Sequence, residues 1–392
     1  MPSRTHRPIP HSFLRLIAGA GIATCLAAAA SAAELPGFGP GEWVVTDPAA
    51  RTETYLGRNA LRLRSGKAYR TDILFENGTI EFDIAPTARR SFLGVEFRIQ
   101  MEGGKANYEH VYFRPHKSGQ WDAVQYTPGF HGASTWQLYQ GKGYNAKLDI
   151  PTDKWTHIRI VVAGSRAEVY AGGAKEPVLV VKQLKGKPGK GYVGLWSFLP
   201  GKAPADLYTG NFANLVIRPD DTPTAYVRET PPPAASGFLS RWMVSKPFAA
   251  PAGGVRGLPR KEALDKLQWK AVLGEPSGLI NLSREFALPK GVRKASLYAR
   301  TTIRSAEAQT KKLNFGYSDE ISIFLNGRIL FSGNNSFSTR YIRYLGTVTA
   351  GEDAVYLPLK QGANELVLAV SEVRMGWGFI ARLEDLEGLR IE

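Results

Sequence analysis

The sequence predicts an all-β protein made of two β-sandwich (jelly-roll) domains. Three observations carry this. Apolar and polar residues alternate with a period of two through many short segments. Gly, Pro and Asn-Gly punctuate those segments. No stretch sustains a helical heptad. The 392 residues include 41 Gly, 11% aromatics and a single cysteine, and that length suits two domains.

Residues 1–33 read as an export signal. Arg4, Arg7 and Arg15 precede an apolar run from Leu16 to Ala30, and Ala30-Ser31-Ala32 fits a small-x-small cleavage site. The run is too short and too rich in Gly and Ala for a membrane span. Cys25 lies inside it, and Thr24 suits lipidation poorly. The mature chain then has no disulfide, and its cores stand without staples, as expected of a bacterial periplasmic or secreted protein. The formal charge is +15, with Lys+Arg 50 against Asp+Glu 35; subtracting the signal's three arginines leaves +12. A basic exported chain suits an acidic polysaccharide, an anionic envelope or a plainly solvated surface. The cations are spread along the chain, which argues against nucleic acid.

Residues 34–219 form the first expected sandwich. Ile80, Phe82 and Ile84 alternate through Thr79–Ile84, as do Val95, Phe97 and Ile99 through Leu93–Gln100. Tyr108–Arg114, His157–Val162, Ala167–Tyr170 and Tyr192–Trp196 follow the same rule. Four pieces in order, Asn77-Gly78-Thr79-Ile80-Glu81-Phe82-Asp83-Ile84, Asp153-Lys154-Trp155-Thr156-His157-Ile158-Arg159, Gly189-Lys190-Gly191-Tyr192-Val193-Gly194-Leu195 and Tyr208-Thr209-Gly210-Asn211-Phe212-Ala213-Asn214-Leu215, resemble the concanavalin A-like lectin/glucanase superfamily in its laminin-G-like branch. That resemblance covers most of residues 40–217 and implies a ligand groove on one sheet face. Residues 220–237, with Pro231-Pro232-Pro233, read as an extended linker.

Residues 238–392 form the second domain. Asp319–Leu325 runs into Asn326-Gly327, Val355–Leu368 carries Gly362-Ala363-Asn364, and Gly376-Trp377-Gly378-Phe379 closes the pattern. This arrangement resembles the galactose-binding-like jelly rolls that accompany many carbohydrate-active enzymes. Only Pro259–Trp269 looks helical.

If Val95, Phe97, Val111 and Phe113 face the core, then Glu96, Arg98, His110, Tyr112 and Arg114 face outward together. His116, Gln125, Tyr126 and Trp136 follow in the next segment. Rings that stack on pyranose faces and planar groups that pair with hydroxyls make this the expected ligand site. The plain alternative is a solvated face with cross-strand ion pairs. Tyr341, Arg343, Tyr344, Trp377 and Phe379 are a second set, with core closure the competing reading of the last two.

A glycosidase needs two carboxylates about 5 to 10 Å apart. The glucanase branch carries Glu-x-Asp-x-x-Glu, whereas Glu81-Phe82-Asp83 is followed by Ile84-Ala85-Pro86. Glu96 and Glu109 remain as carboxylates without a spacing argument. The related 3-keto-disaccharide hydrolase-like domains share the sandwich, and no motif here transfers their activity. His110, His116, His131 and His157 lack metal-site spacing, and no nucleophile elbow, phosphate loop or dinucleotide fingerprint occurs. The expectation is therefore an exported polysaccharide- or glycan-binding protein without a cofactor, structural calcium staying open. The alternatives are a glycoside hydrolase or polysaccharide lyase whose first domain is catalytic, and an adhesion module for protein partners.

Overall fold

The computed structural model describes residues 31–33, 38, 41–87, 90–201, 207–221, 236–342, 344–373 and 375–392. The chain is all-β, as its alternation requires. The α-helices among the described residues are Lys261–Asp265 and Leu282–Glu285, of five and four residues. The first falls inside the one segment expected to be helical. No helix among the described residues is long and apolar enough to cross a membrane.

Residues 31–219 build two facing antiparallel sheets. The front sheet runs Ser31–Ala33, Trp43–Val45, Gly66–Phe75, Gly191–Phe198, Phe92–Glu102, Lys105–Phe113, Val124–Phe130, Ala133–Ser134, with Asn145–Ala146 also paired to Val124–Phe130. The back sheet runs Leu179–Val181, Arg166–Ala171, Thr156–Ala163, Gly78–Ile84, Gly210–Pro219, Arg58–Leu63, Arg51–Tyr55. Val95, Phe97, Val111, Phe113, Val193 and Leu195 meet Ile80, Phe82, Ile84, Ile158 and Ile160 in one core. Period-2 alternation places those side chains on the inner faces, and the residues between them necessarily point away from the core.

Residues 241–391 build two further sheets and share no strand with the first pair. The larger is centred on Ala295–Ser305, Gly362–Glu372 and Glu320–Leu325; the smaller holds Leu279–Asn281, Gly378–Leu383, Gln309–Ser318 and Asp353–Leu359. Asn326 and Gly327 take φ of 51° and 83°, the positive values a tight two-residue hairpin turn needs. Trp377 and Phe379 sit in the core between these sheets, and the Trp377 indole donates to Val370 O at 3.2 Å. Tyr344 is buried and Tyr341 exposed. Arg343 and residues 222–235 of the expected linker lie outside the described residues, as do residues 1–30 of the expected signal.

The two sandwiches meet at a 3-10 turn, Trp136–Leu138. Leu138 and Tyr139 pack with Leu279, Val348 and Ile380 of the second domain. Gln137 N donates to Met375 O at 3.2 Å, Gln137 O accepts from Val348 N at 2.9 Å, and Gln137 Nε2 donates to Leu345 O at 2.9 Å. Below them Tyr139 donates to Glu275 at 2.6 Å, while Arg284 and Lys185 hold the same carboxylate at 2.8 and 2.9 Å. The glycines flanking Trp377 serve this contact. A Cβ at Gly376 or Gly378 would come within 3.0 Å of the Leu138 side chain.

Candidate functional site

The outer face of the front sheet lies against this junction. Glu96 pairs across strands with His110 and Gly94 with Tyr112; on the other side Trp196 pairs with Gly94. Two of the tyrosines on this face lie across glycines. At Gly129 a Cβ would meet the Tyr108 ring at 2.1 Å, and at Gly94 it would meet Val111 O at 2.2 Å and Tyr112 Cα at 2.6 Å. The missing side chains leave room for the Tyr108 ring at Gly129 and for the neighbouring strand's backbone at Gly94.

A cavity of about 450 Å³ opens above these residues. Phe92, Tyr108, His110, Tyr112, Trp196 and Phe198 form its sheet wall. Trp136 comes from the 3-10 turn, and Phe337, Leu345 and Met375 come from the second domain. The rings support one another: His110 lies 4.6 Å from Trp196 and 4.9 Å from Tyr112, Phe92 lies 5.9 Å from Phe198, and Trp136 meets Phe337 edge-on at 6.3 Å. Edge-to-face and offset pairs of this kind hold rings in place.

The polar groups are equally ordered. Arg114 donates to Asp122 O at 2.9 Å, Asp122 Oδ2 at 3.3 Å, the Tyr112 hydroxyl at 2.9 Å and Gln125 Oε1 at 3.1 Å. Its guanidinium stands 5.1 Å from the Tyr112 ring centre and 5.9 Å from that of Trp136. Lys117 also pairs with Asp122. Lys67 holds Glu96 at 2.6 Å, yet burial still pushes that carboxyl above its ordinary value. Burial pushes His110 well below the usual imidazole value. His116 falls to about 4, first through burial and then through Arg90, Arg114 and Lys117. Both rings are therefore neutral at pH 7. His110 Nε2 and Asp122 Oδ1 are buried at the cavity without a hydrogen-bond partner.

Six of the expected site residues thus line one cavity: Glu96, His110, Tyr112, Arg114, His116 and Trp136. Three do not. The strand bulges between Phe97 and Gln100, where Arg98 takes φ 50°. That reverses the expected facing of Arg98, whose guanidinium binds Glu76 O at 2.8 Å and Gly164 O at 2.6 Å. Gln125 is on the outer face but roofed by the 3-10 turn; it accepts from Arg114 and donates to Tyr139 O at 2.8 Å, so it positions both. Tyr126 points into the core and donates to Glu109 at 2.7 Å. Glu109 therefore lies on the opposite sheet face from Glu96, and the two carboxylates do not share a site. His131 lines a separate cleft and His157 contacts Asp83 on the back sheet at 2.9 Å. No group of three metal-ligating side chains occurs among the described residues.

Strand alternation also carries residues that were not singled out. Val193 and Leu195 are core, so Trp196 and Phe198 must face outward, and the same parity places Phe92 beside them. Phe337, Leu345 and Met375 had no local signal, because only the domain contact brings them here.

No family model matches the chain, and no curated protein sequence matches it. Among solved structures, the carbohydrate-binding module CBM66 from Bacillus subtilis is 16% identical with a TM-score of 0.32, over 44% of this chain and 92% of that one. The Bacillus licheniformis beta-glucanase is 15% identical with a TM-score of 0.30, over 47% of this chain and 93% of that one. An anti-sigma factor domain-containing protein is 8% identical with a TM-score of 0.23, over 85% of this chain and 82% of its own. At these scores the fold rests on this chain's own strand order and register.

Proposed function

We propose that the chain is an exported carbohydrate-binding protein, and that the ligand occupies the cavity between the front sheet and the second domain. The observation that carries this reading is the pairing of a ring-lined wall with buried polar atoms that lack partners. A pyranose presents apolar C–H faces and a girdle of hydroxyls. Trp196, Trp136 and Tyr112 suit the faces, while His110 Nε2 and Asp122 Oδ1 suit the hydroxyls. An imidazole nitrogen and a carboxylate oxygen are costly to bury unpaired, and ligand hydroxyls reaching them as neighbouring side chains adjust would repay them. The volume of about 450 Å³ falls within the usual range for ligand pockets, roughly 300–1,000 Å³.

A second reading, hydrolysis or elimination at a glycosidic bond, has one observation in its favour. Glu96 and Asp122 are both cavity carboxylates, and burial raises the former toward the value of a proton donor. Incubating the mature protein with neutral and acidic polysaccharides separates the readings. Retarded migration without new reducing ends supports binding alone; reducing ends or unsaturated products support an enzyme. If the panel gives neither retardation nor products, the carbohydrate reading falls. Sequencing the N-terminus of the exported protein tests cleavage near Ala32.

A further inference from the structure

Resting on the carbohydrate reading above, we infer that the ligand is an acidic glycan, with a uronic acid carboxylate directed to the end of the cavity where Arg90, His116 and Lys117 lie. The cavity's charges do not balance. Arg90, Arg114 and Lys117 line it with Glu96 and Asp122, and Lys67 stands behind Glu96. That is four cations to two carboxylates. Lys67 neutralises Glu96, and Asp122 is shared by Arg114 and Lys117. Arg90 is exposed and forms no ion pair among the described residues. Two positive charges are left over.

The excess is local. Arg90 lies two residues before Phe92, and the Phe92 ring packs against His116 at 5.1 Å, next to Lys117. Arg90, Arg114 and Lys117 all disfavour a charge on His116, while no carboxylate is among the groups that favour one. An anion set there meets a positive field beside low-dielectric ring walls, where attraction exceeds that in open water. Arg114 has committed its two terminal nitrogens to Asp122, Tyr112 and Gln125. Arg90 keeps its fork open for a carboxylate, and the Lys117 ammonium has donors to spare beyond its bond to Asp122. A neutral glycan would fill the ring-lined wall and leave this end uncompensated.

The test uses the full mature chain and matched sugar pairs: oligogalacturonate, oligoalginate and a glucuronate-containing oligosaccharide, each beside its carboxyl-reduced form. Calorimetric titration should show at least one acidic member binding about tenfold tighter than its reduced partner, the scale of one charge-assisted contact. The preference should shrink as salt rises. Arg90→Ala should cut it several-fold with the thermal midpoint retained. Lys117→Met should cut it too in the protein that stays folded, its midpoint lowered because buried Asp122 loses a partner. Lys360→Ala, on a distant turn, leaves it intact. Acetate and inorganic sulfate alone should not bind comparably. The inference is overturned if every acidic sugar binds no tighter than its reduced partner. It is also overturned if the preference survives both cavity substitutions, is lost equally in Lys360→Ala, or is matched by the simple anions. Should acidic and reduced sugars bind equally well and Trp196→Ala abolish both, the carbohydrate reading stands while the acidic one falls. Should no sugar bind at all, both fall.

Discussion

Replacing Tyr139 by Phe removes one oxygen from the contact that holds the two sandwiches around the cavity. The ring stays, so its packing with Leu138, Leu279, Val348 and Ile380 is kept. What goes is the 2.6 Å bond to Glu275 and the acceptor for Asn281 Nδ2 at 2.9 Å. Glu275 retains Arg284 and Lys185, so its charge remains paired. A hydrogen bond to a charged group is worth about 1.5–3 kcal/mol, and stranding the Asn281 donor adds to the loss. A cost of about 2 kcal/mol corresponds to a fall of roughly 4–8 °C in the thermal midpoint of a domain of this size. Scanning calorimetry measures it. The trace should also broaden, because weakening the junction lets the domains unfold less cooperatively. A shift under about 1 °C with an unchanged trace would mean that the junction contributes little, and that the second domain is not a fixed wall of the site.

Other expectations follow from the same geometry. Arg114→Ala leaves Asp122 buried with Lys117 alone, and should destabilise by about 3–5 kcal/mol; a urea midpoint shift worth under about 1 kcal/mol would contradict the assigned hydrogen bonds. Gly94→Ala drives a Cβ into the backbone of the neighbouring strand, at 2.2 Å from Val111 O, and should cost at least about 1–3 kcal/mol in the same assay. For acid sensitivity, burial raises Glu275 but Lys185 and Arg284 outweigh it, so the folded value lies below the ordinary 4.5. Its contribution is therefore present above pH 4.5 and lost as pH falls through the depressed folded value. Glu275→Gln should flatten the decline in urea midpoint below pH 4.5, and an unaltered slope would rule the group out.

The sandwich class was legible because inner-face residues had to alternate. Ile80-x-Phe82-x-Ile84 and Val95-x-Phe97 leave one choice of buried face, and Glu96, His110 and Tyr112 follow by parity. Arg98 departed from parity because a bulge inserts a residue there, and nothing in Phe97-Arg98-Ile99 signals it. Placing adjacent Gln125 and Tyr126 in one site overlooked their opposite facing: Val124–Phe130 is a strand whose even-numbered Val124 and Tyr126 are core. Core closure was one of the two readings of Trp377 and Phe379, and both rings are core. The glycines flanking Trp377 admit Leu138 of the first domain, a contact with no local trace. For the same reason Phe337, Leu345 and Met375 emerged only from the assembled chain.

The central claim is that the ring-lined cavity binds a glycan, and titration of wild type against Trp196→Ala tests it most directly. Trp196 lies outside the apolar core cluster and supports His110 and Phe198 from the cavity side. Its loss removes a stacking platform worth about 2 kcal/mol or more, a thirtyfold rise in Kd, for any sugar seated there. The account predicts that wild type binds an oligosaccharide and that the folded variant loses at least that much affinity. Wild-type affinity retained by a folded Trp196→Ala protein would place the ligand elsewhere and contradict the account.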